Sequence, residues 1–523
     1  MKKVLLYIIS CIILIIVLLG ILLVFFGSQK DFESNLNVRY HHPIEKTLQY
    51  KILNRNQQDL LYYYEVIKET HPIFVDGGID TVEYKDFVDS LISTLGINNN
   101  TDEFYRALLQ MDNPLHDAHT VFSINNLWTD TFARKYPVYF KFVENELFVI
   151  NATLPNKQLI GKKVFRINKN LIDTLINKLE VYLTYENIYG KNKQIETILN
   201  KPYLLNKLCV IDNSLDIEIQ FEDSALKVFK ADTIISYSVS YSNIRKTKYR
   251  IDSIGNYCHF NYTSCMYRES YMQMIEIAEI SFLDKLSLSI KFMLFIPNFK
   301  TMMIDMFNDI RDNNIDNLII DIRDNGGGNT IYSKVFLEKI NYNHDDSIID
   351  ESGMYLRTSP LFAKQYPEDY IVYKEGIDSF KMGNIISYET LSKLYKDSIK
   401  VPVLLDTYIS APNFDGKVYF IQNRNTFSAG FDLAKKAKQT ADFTLIGEPS
   451  TQSINIYGDL LIFSLPNSNL LAQCSWKYFY ENKDNTSVLE PNVKLTNNID
   501  DIISKKDAYM NWILENISNG NIK

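Results

Sequence analysis

Ser428 lies in a stretch, KVYFIQNRNTFSAGFDLA (Lys417 to Ala434), whose pattern places a serine hydroxyl between a strand and a helix. Val418 to Ile421 is a β-branched and aromatic run that predicts a buried strand. The apolar spacing from Ala429 onward is helical. A hydroxyl at such a junction can project into a cleft, while the next backbone N–H points at the group that it attacks. The alternative is an ordinary N-cap serine, which is the commoner role at this position.

A second stretch, NLIIDIRDNGGGNT (Asn317 to Thr330), joins an apolar strand to three consecutive glycines. Glycine accepts positive φ angles and leaves backbone N–H groups uncovered, which suits an anion or an oxyanion, although tight turns use the same residues. The run is not a P-loop, because no Gly-Lys-Ser/Thr follows, and it lacks the spacing of a dinucleotide site. We therefore expect a backbone anion site here.

Together the two stretches resemble the serine peptidases of family S41, the tail-specific or C-terminal-processing proteases. DIRDNGGGN resembles the D-x-R-x-N-x-G-G element of that family, and TFSAGFDLA followed by LIGEPSTQS resembles its nucleophile helix and the turn after it. The resemblance covers roughly Tyr257 to Val493, and more loosely Asp59 to Phe74 and Asp112 to Phe122. It implies an α/β fold with a ClpP/crotonase-like catalytic core, an acyl-enzyme on Ser428, and a protein or peptide substrate.

A histidine that activates Ser428 must lie upstream, because none of the seven histidines follows this serine. That order excludes the α/β-hydrolases, whose histidine comes last. In the Ser-Lys branch of the family a lysine follows the nucleophile helix, and its position falls on Ser453 here. The Ser-His branch, which includes tricorn core, has a D-x-H element that Asp117 to Thr120 (DAHT) matches. We predict His119 as the general base, with His116 as the alternative.

The resemblance also implies a carboxylate downstream of the serine, which orients the imidazole and stabilises its charged form. We predict Glu481, at the end of a strand-like run (YFYENK), for this role. A solvated surface carboxylate is the ordinary alternative for this residue. The other candidate acids are Glu490, Asp459 and Glu448.

For the oxyanion, the family uses one N–H of the glycine run and one from the residue after the nucleophile. The resemblance places these donors at Gly327 or Gly328 and at Ala429. Removing one such donor typically lowers the rate by about 10²–10³-fold. The residues expected to support the loop belong to the same motif: Asp321, Arg323 and Asn325.

The chain is predicted to contain four segments: a transmembrane signal anchor (1–27), an N-terminal helical domain carrying His119 (28–135), a middle β-rich segment with a PDZ-like strand (136–255), and the S41-type catalytic domain (256–523). Val4 to Phe26 lacks charges and as a helix would be about 35 Å long, against about 30 Å for a bilayer core. Lys2 and Lys3 favour a cytoplasmic N-terminus. We therefore expect a single-pass membrane protein with its catalytic body outside, in the periplasm or at the cell surface.

The amino-acid composition limits which binding partners and cofactors we expect. A net charge of −8 and a pI near 5.6 provide no basic surface for nucleic acid. The cysteines form no C-x-x-C pair and no cluster has metal-ligand spacing, so we expect neither a metal nor an organic cofactor. The sequence leaves two other functions open: a catalytically silent S41-like module that binds a peptide or an apolar ligand, and an esterase of the same fold. It does not predict the oligomeric state.

Overall fold

Helices dominate the first part of the chain. The computed structural model describes residues 39–96, 100–122, 134–236, 247–277, 281–340, 353–378, 380–398, 409–481 and 488–519. Up to residue 122 the elements are α1 (Leu48–Lys51), α2 (Arg55–Thr70), α3 (Ile73–Asp76), α4 (Thr81–Thr94), α5 (Thr101–Asp112) and β1 (Val121–Phe122). The side chains of Asn54, Asp80 and Asn100 accept first-turn N–H groups of α2, α4 and α5, and such caps fix where helices begin.

Short strands and three helices follow. They are β2 (Arg134–Lys135), β3 (Val138–Val143), β4 (Glu146–Ala152), β5 (Val164–Ile167), β6 (Asn170–Leu171), α6 (Ile172–Glu180), α7 (Ile188–Leu199), α8 (Pro202–Lys207), β7 (Ile217–Phe221), β8 (Leu226–Phe229) and β9 (Ile235–Ser236). β3 pairs with β4, β2 pairs with β9, and β6, β5, β7 and β8 form a four-stranded sheet in that order.

The last part of the chain alternates strands and helices. Up to residue 339 these are β10 (Lys248–Asp252), β11 (Tyr257–Asn261), α9 (Arg268–Ile277), α10 (Phe282–Phe295), α11 (Phe299–Asp312), β12 (Asn317–Asp321) and α12 (Thr330–Lys339). The next group is β13 (Gly353–Arg357), α13 (Pro360–Gln365), α14 (Pro367–Gly376), β14 (Ile385–Ser387) and α15 (Tyr388–Ser398). The final group is β15 (Lys417–Gln422), α16 (Ala429–Gln439), β16 (Phe443–Gly447), β17 (Ile456–Ser464), β18 (Leu471–Tyr480), β19 (Val493–Lys494), α17 (Ile499–Ser504) and α18 (Ala508–Asn519).

A six-stranded sheet brings the glycine run beside the Ser428 turn. Its order is β10-β11-β12-β15-β16-β19, and its pairs are parallel except for β10 with β11. Asp321, at the end of β12, is the partner of Ile421 near the end of β15. Because the carboxyl ends of neighbouring parallel strands meet at one edge, the loops after them lie together. Both strands are almost wholly buried, as the apolar run from Val418 to Ile421 predicts.

A second sheet carries the segment that follows His119. It has the order β1-β18-β13-β14, with β17 also paired to β18, and all its pairs are antiparallel. Val121 is the partner of Gln473, and the Gln473 amide donates to the His119 carbonyl at 2.9 Å. Pairing between distant parts of the chain therefore fixes the D-x-H turn.

Among the described residues, the hydrophobic core forms three clusters of buried side chains. The largest combines residues from 40 to 229 with residues from 356 to 476, so the N-terminal helices pack with the second sheet. The other two pack against the six-stranded sheet. The four-segment division of the chain, including the PDZ-like segment, stays a prediction.

The location predicted from the sequence, a single-pass membrane protein, is corrected here. Among the described residues, no helix is both long enough and apolar enough to span a bilayer. The segment on which the prediction depended, residues 4–26, lies outside the described residues. The fold class is mixed α/β. The transmembrane helix that the prediction added to this fold class is corrected together with the location.

Candidate active site

Ser428 occupies the N-cap position of α16, but its hydroxyl does not cap the helix. Its backbone has φ 52° and ψ −125°, whereas a capping serine normally adopts an extended conformation and accepts a first-turn N–H. A non-glycine residue in such a sparsely populated region costs roughly 1–3 kcal/mol. The Ser428 N–H donates to Gln452 Oε1, which helps to hold the turn. The capping role therefore does not describe this serine, whose hydroxyl is free of the helix.

Asn325 joins the glycine run to the Ser428 turn. Its carbonyl accepts the Phe427 N–H at 2.8 Å, and its Oδ1 accepts the Gly327 N–H at 2.9 Å. Its Nδ2 donates to the Tyr262 carbonyl at 2.8 Å. A Cβ on Gly430 would lie 2.7 Å from the Asn325 carbonyl oxygen, so glycine is needed for this close approach. The asparagine and the glycine of the two motifs thus serve one packing arrangement.

Two backbone N–H groups remain available near Ser428. Gly327 and Gly328 have φ angles of 101° and 133°. A Cβ on Gly327 would lie 2.6 Å from Ser428 Cβ and 3.0 Å from the Ala429 nitrogen, so this glycine keeps open the space in front of that N–H. Its own N–H is committed to Asn325. The backbone N–H groups of Gly328 and Ala429 have no acceptor within the described part of the chain. Two such donors without an acceptor suit a developing oxyanion.

Asp321 and Arg323 brace the loop from behind. The Arg323 guanidinium donates to both carboxylate oxygens of Asp321, at 2.8 and 2.6 Å, and lies 2.9 Å from Asp507. It also lies over the Tyr509 ring at 5.4 Å. Bidentate pairs of this kind fix geometry as well as charge. These two motif residues therefore tie the end of β12 to the start of α18.

His119 lies against Phe427, the residue before Ser428. The two ring centroids are 4.6 Å apart and the planes differ by 30°. His119 is only 7% exposed, whereas His116 is exposed and its ring lies 6.0 Å from that of Tyr185. The tertiary structure thus brings His119 to the Ser428 turn and places His116 elsewhere.

Two acids lie beside His119: Asp117 of the D-x-H element and Glu186, which the sequence did not indicate. Glu186 Oε1 lies 3.7 Å from His119 Nδ1, and Asp117 Oδ1 lies at the same distance. These separations are too long for hydrogen bonds but short enough for strong electrostatic attraction in a buried site. Glu481 instead accepts a hydrogen bond from Gln439 at 2.8 Å and lies 3.5 Å from Lys435. The structure does not bring Glu481 to the imidazole, because the end of β18 turns toward α16.

The turn in which the Ser-Lys branch would have its lysine contains Ser453, and this serine binds Glu186. The Ser453 N–H donates to Glu186 Oε2 at 2.9 Å, and Ser453 Oγ donates to the Glu186 carbonyl at 3.0 Å. Asn187, which caps α7, donates to the Ser450 carbonyl at 3.1 Å. The only sequence signal near Glu186 is that cap, which marks the start of a helix and says nothing of a distant histidine.

The electrostatics favour a charged imidazole. Burial lowers the pKa of His119, but the carboxylates of Asp117 and Glu186 outweigh it and raise that pKa to about 10. Burial alone would raise the pKa of Asp117, yet interactions with His119 and His71 hold it below its usual range. Burial raises the pKa of Glu186. The site therefore stabilises the protonated state that a histidine reaches after accepting a proton.

Asp117, His119 and Glu186 each offer one possible ligand atom, and these three atoms lie within 4.8 Å of one another, a spacing that would also suit a metal ion. Both carboxylate oxygens of Asp117 already accept hydrogen bonds. Oδ1 accepts the backbone N–H of His119 at 2.9 Å, and Oδ2 accepts from Thr120 Oγ1 at 2.5 Å. We therefore interpret this group as one that orients the imidazole.

Comparison with known proteins finds a family model that matches part of the chain. A sequence model of peptidase family S41 matches residues 288–495, which include Ser428 and the glycine run. A search of curated protein sequences found no match. Mature CPAF has a TM-score of 0.58 at 12% identity, covering 91% of this chain and 99% of that one. CPAF complexed with lactacystin has a TM-score of 0.57 at 12% identity, covering 91% and 100%. Likeness at this identity shows a shared fold alone. The family match thus shows that residues 288–495 of this chain are similar to peptidase family S41.

Proposed function

We propose that this protein is a serine endopeptidase that cleaves peptide bonds through an acyl-enzyme on Ser428. One observation carries the proposal: the Ser428 hydroxyl, on a strained turn, has no hydrogen-bond partner among the described residues, and the preceding residue, Phe427, stacks on the buried His119. A hydroxyl needs a neighbouring base to become a nucleophile. The carboxylates of Asp117 and Glu186 face the Nδ1 edge of the imidazole, so Nε2 remains for Ser428.

The reaction follows in two halves. His119 Nε2 accepts the Ser428 proton as Oγ attacks the scissile carbonyl, and the carbonyl oxygen becomes an oxyanion facing the N–H groups of Gly328 and Ala429. His119 then donates that proton to the leaving amine, and the C–N bond breaks to give the acyl-enzyme. A water molecule, deprotonated by the same imidazole, hydrolyses the ester and restores Ser428.

Glu186 replaces Glu481 as the proposed third group. It is buried, lies beside the imidazole, and is held from two sides by Ser453. A carboxylate at this position stabilises the imidazolium and restricts its orientation. Because Ser453 stands where the Ser-Lys branch would have its lysine and instead fixes this acid, the arrangement favours the Ser-His mechanism.

The experiment is labelling of the full chain with a fluorophosphonate, followed by hydrolysis of a fluorescent protein substrate. Ser428→Ala and His119→Ala should each lower hydrolysis by several orders of magnitude, up to about 10⁶-fold. The matched controls are Ser90→Ala and His116→Ala, which change exposed residues of the same types. Labelling that survives in Ser428→Ala would contradict the nucleophile, and labelling that survives in His119→Ala would contradict the base.

One observation favours the catalytically silent binding module as a second candidate. A histidine with a pKa raised to about 10 is protonated at neutral pH and cannot accept a proton there. The two functions differ at alkaline pH, where the peptidase should gain activity and the binding module should not. A folded wild-type protein that remains unlabelled at pH 10 would favour the binding module.

A further inference from the structure

His71 is a buried histidine on the far side of Asp117 from the proposed catalytic base. It follows the last residue of α2 and has no exposed surface. The backbone N–H of His71 donates to the Ile67 carbonyl at 2.7 Å, and the His71 carbonyl accepts from the Arg357 guanidinium at 2.8 Å. The Tyr457 ring packs on the imidazole with centroids 4.5 Å apart. Backbone and ring are therefore fixed from several directions.

The hydrogen bonds of His71 assign its tautomer. Its Nδ1 accepts the Ile73 N–H at 3.2 Å, so this nitrogen carries a lone pair. The ring proton consequently lies on Nε2, which is 3.0 Å from Asp117 Oδ2 and donates to it. A backbone N–H thus sets the direction in which this imidazole donates.

Asp117 lies between His71 and His119 and is hydrogen-bonded to both residues. Its Oδ2 accepts hydrogen bonds from His71 Nε2 and Thr120 Oγ1. Its Oδ1 accepts the backbone N–H of His119 and also faces the ring atom His119 Nδ1. A buried carboxylate stays charged only when donors of this kind compensate for lost hydration. Removing the His71 donor would leave Asp117 less well fixed and less favourably charged.

We propose that His71 is a positioning residue for catalysis, which acts on His119 through Asp117. The inference rests on the proposed function, since it concerns the same base. It makes the N-terminal helix α2 part of the catalytic apparatus rather than a mere packing element. His71 does not contact the reacting atoms, and its effect is to hold the charge and orientation of the carboxylate that faces the imidazole.

Two conservative variants separate this role from simple packing. In His71→Asn the amide oxygen takes the place of Nδ1 and still accepts the Ile73 N–H, but the side chain is too short to reach Asp117. In His71→Gln the longer side chain places its amide N–H near the position of Nε2 and still donates to Asp117. We expect His71→Asn to lower the inactivation rate constant of the fluorophosphonate roughly 10- to 100-fold, because a hydrogen bond to a charged group is lost.

The apparent affinity for the fluorophosphonate should not change, and His71→Gln should recover most of the rate. His116→Asn is the matched control and should behave as the wild type. If folded His71→Asn inactivates at the wild-type rate, or if folded His71→Gln is slower than His71→Asn, the inference is overturned.

A second measurement is independent of activity. In protein with 15N-labelled histidine and the Ser428→Ala substitution, the His71 Nε2–H should give a downfield proton signal, identified by its loss in His71→Gln. Asp117→Asn should move this signal upfield, because the acceptor loses its charge. A signal that does not respond to Asp117→Asn would contradict the inference, whereas a wild-type serine that is never labelled would contradict the proposed function.

Discussion

The Phe427 ring stacks on the His119 imidazole with centroids 4.6 Å apart, although the two residues lie far apart in the sequence. Phe427 precedes Ser428 directly, and its N–H donates to the Asn325 carbonyl beside the glycine run. Phe427 therefore touches the proposed base, adjoins the proposed nucleophile and is hydrogen-bonded to the loop that carries the Gly328 donor. The relationship links three motifs that the sequence shows only as separate stretches.

Replacing the acid should distinguish Glu186 from Glu481. Glu186→Gln removes the charge beside His119 while keeping the shape of the side chain, so we expect kcat/KM measured above pH 10, where His119 is neutral in both proteins, to fall by roughly 10²–10⁴-fold. Glu481→Gln should change it less than about twofold, because this residue contacts Gln439 and Lys435. Peptide hydrolysis by the two purified variants is the measurement. The opposite ranking would restore Glu481 as the acid.

The activity should rise with pH. His119 acts as a base only when neutral, and its pKa is raised to about 10 by Asp117 and Glu186 against the effect of burial. The rate of fluorophosphonate labelling should therefore increase from pH 7 toward pH 10, and Glu186→Gln should move the midpoint downward. A labelling rate that is flat over this range would contradict the prediction.

The same pKa predicts a change in stability. The raised value in the folded state means that His119 contributes stability fully below its unfolded pKa of about 6.5. This contribution is lost as the pH rises through about 10. The unfolding free energy of the wild type should therefore fall between pH 7 and pH 10 by more than that of His119→Ala, as urea denaturation would measure. Equal slopes would exclude a raised pKa.

Gly327→Ala should block the oxyanion site. The added methyl group would lie 3.0 Å from the Ala429 nitrogen, at a φ angle of 101° that alanine disfavours. We expect kcat to fall by about 10²–10³-fold. Gly326→Ala is the matched control, because a Cβ there meets no atom within 4 Å. Hydrolysis assays of both variants test the prediction, and similar losses in the two would argue for a general disturbance of the loop.

Ser428→Gly should be more stable than Ser428→Ala, although both lack the nucleophile. Alanine keeps the strain of φ 52°, whereas glycine adopts that angle freely. After subtracting the entropy that glycine adds to the unfolded chain, we expect a difference of about 1 kcal/mol in favour of glycine. Urea denaturation of the two variants is the measurement. A less stable glycine variant would show that the turn is not strained.

Arg323→Ala should destabilise the fold. The guanidinium is mostly buried and forms a bidentate pair with Asp321, so its removal takes away the main charge partner of a buried carboxylate. Breaking such a pair costs about 3–5 kcal/mol. Asp507→Asn removes the partly exposed partner and should cost under about 1 kcal/mol. Denaturation midpoints of the two variants test this ranking.

The local motifs could be predicted from the sequence because each depends on a short stretch of chain. The strand before Ser428, the helix after it and the glycine run follow from residue spacing and backbone freedom, whereas the D-x-H turn was indicated by the resemblance to family S41. The structure agrees for the strand and the helix, as β15 and α16. The choice of His119 as the base stays a prediction, now supported by its contact with Phe427.

The residues that complete the site depend on tertiary structure. Glu186 reaches His119 because Ser453 holds it, and His71 reaches Asp117 because α2 packs beside the second sheet. No spacing rule links an acid in one loop to a histidine in another. The sequence determined which local turns could carry chemistry, whereas the packing of distant elements decided which charges surround them, because buried carboxylates act over a few ångströms of space rather than along the chain.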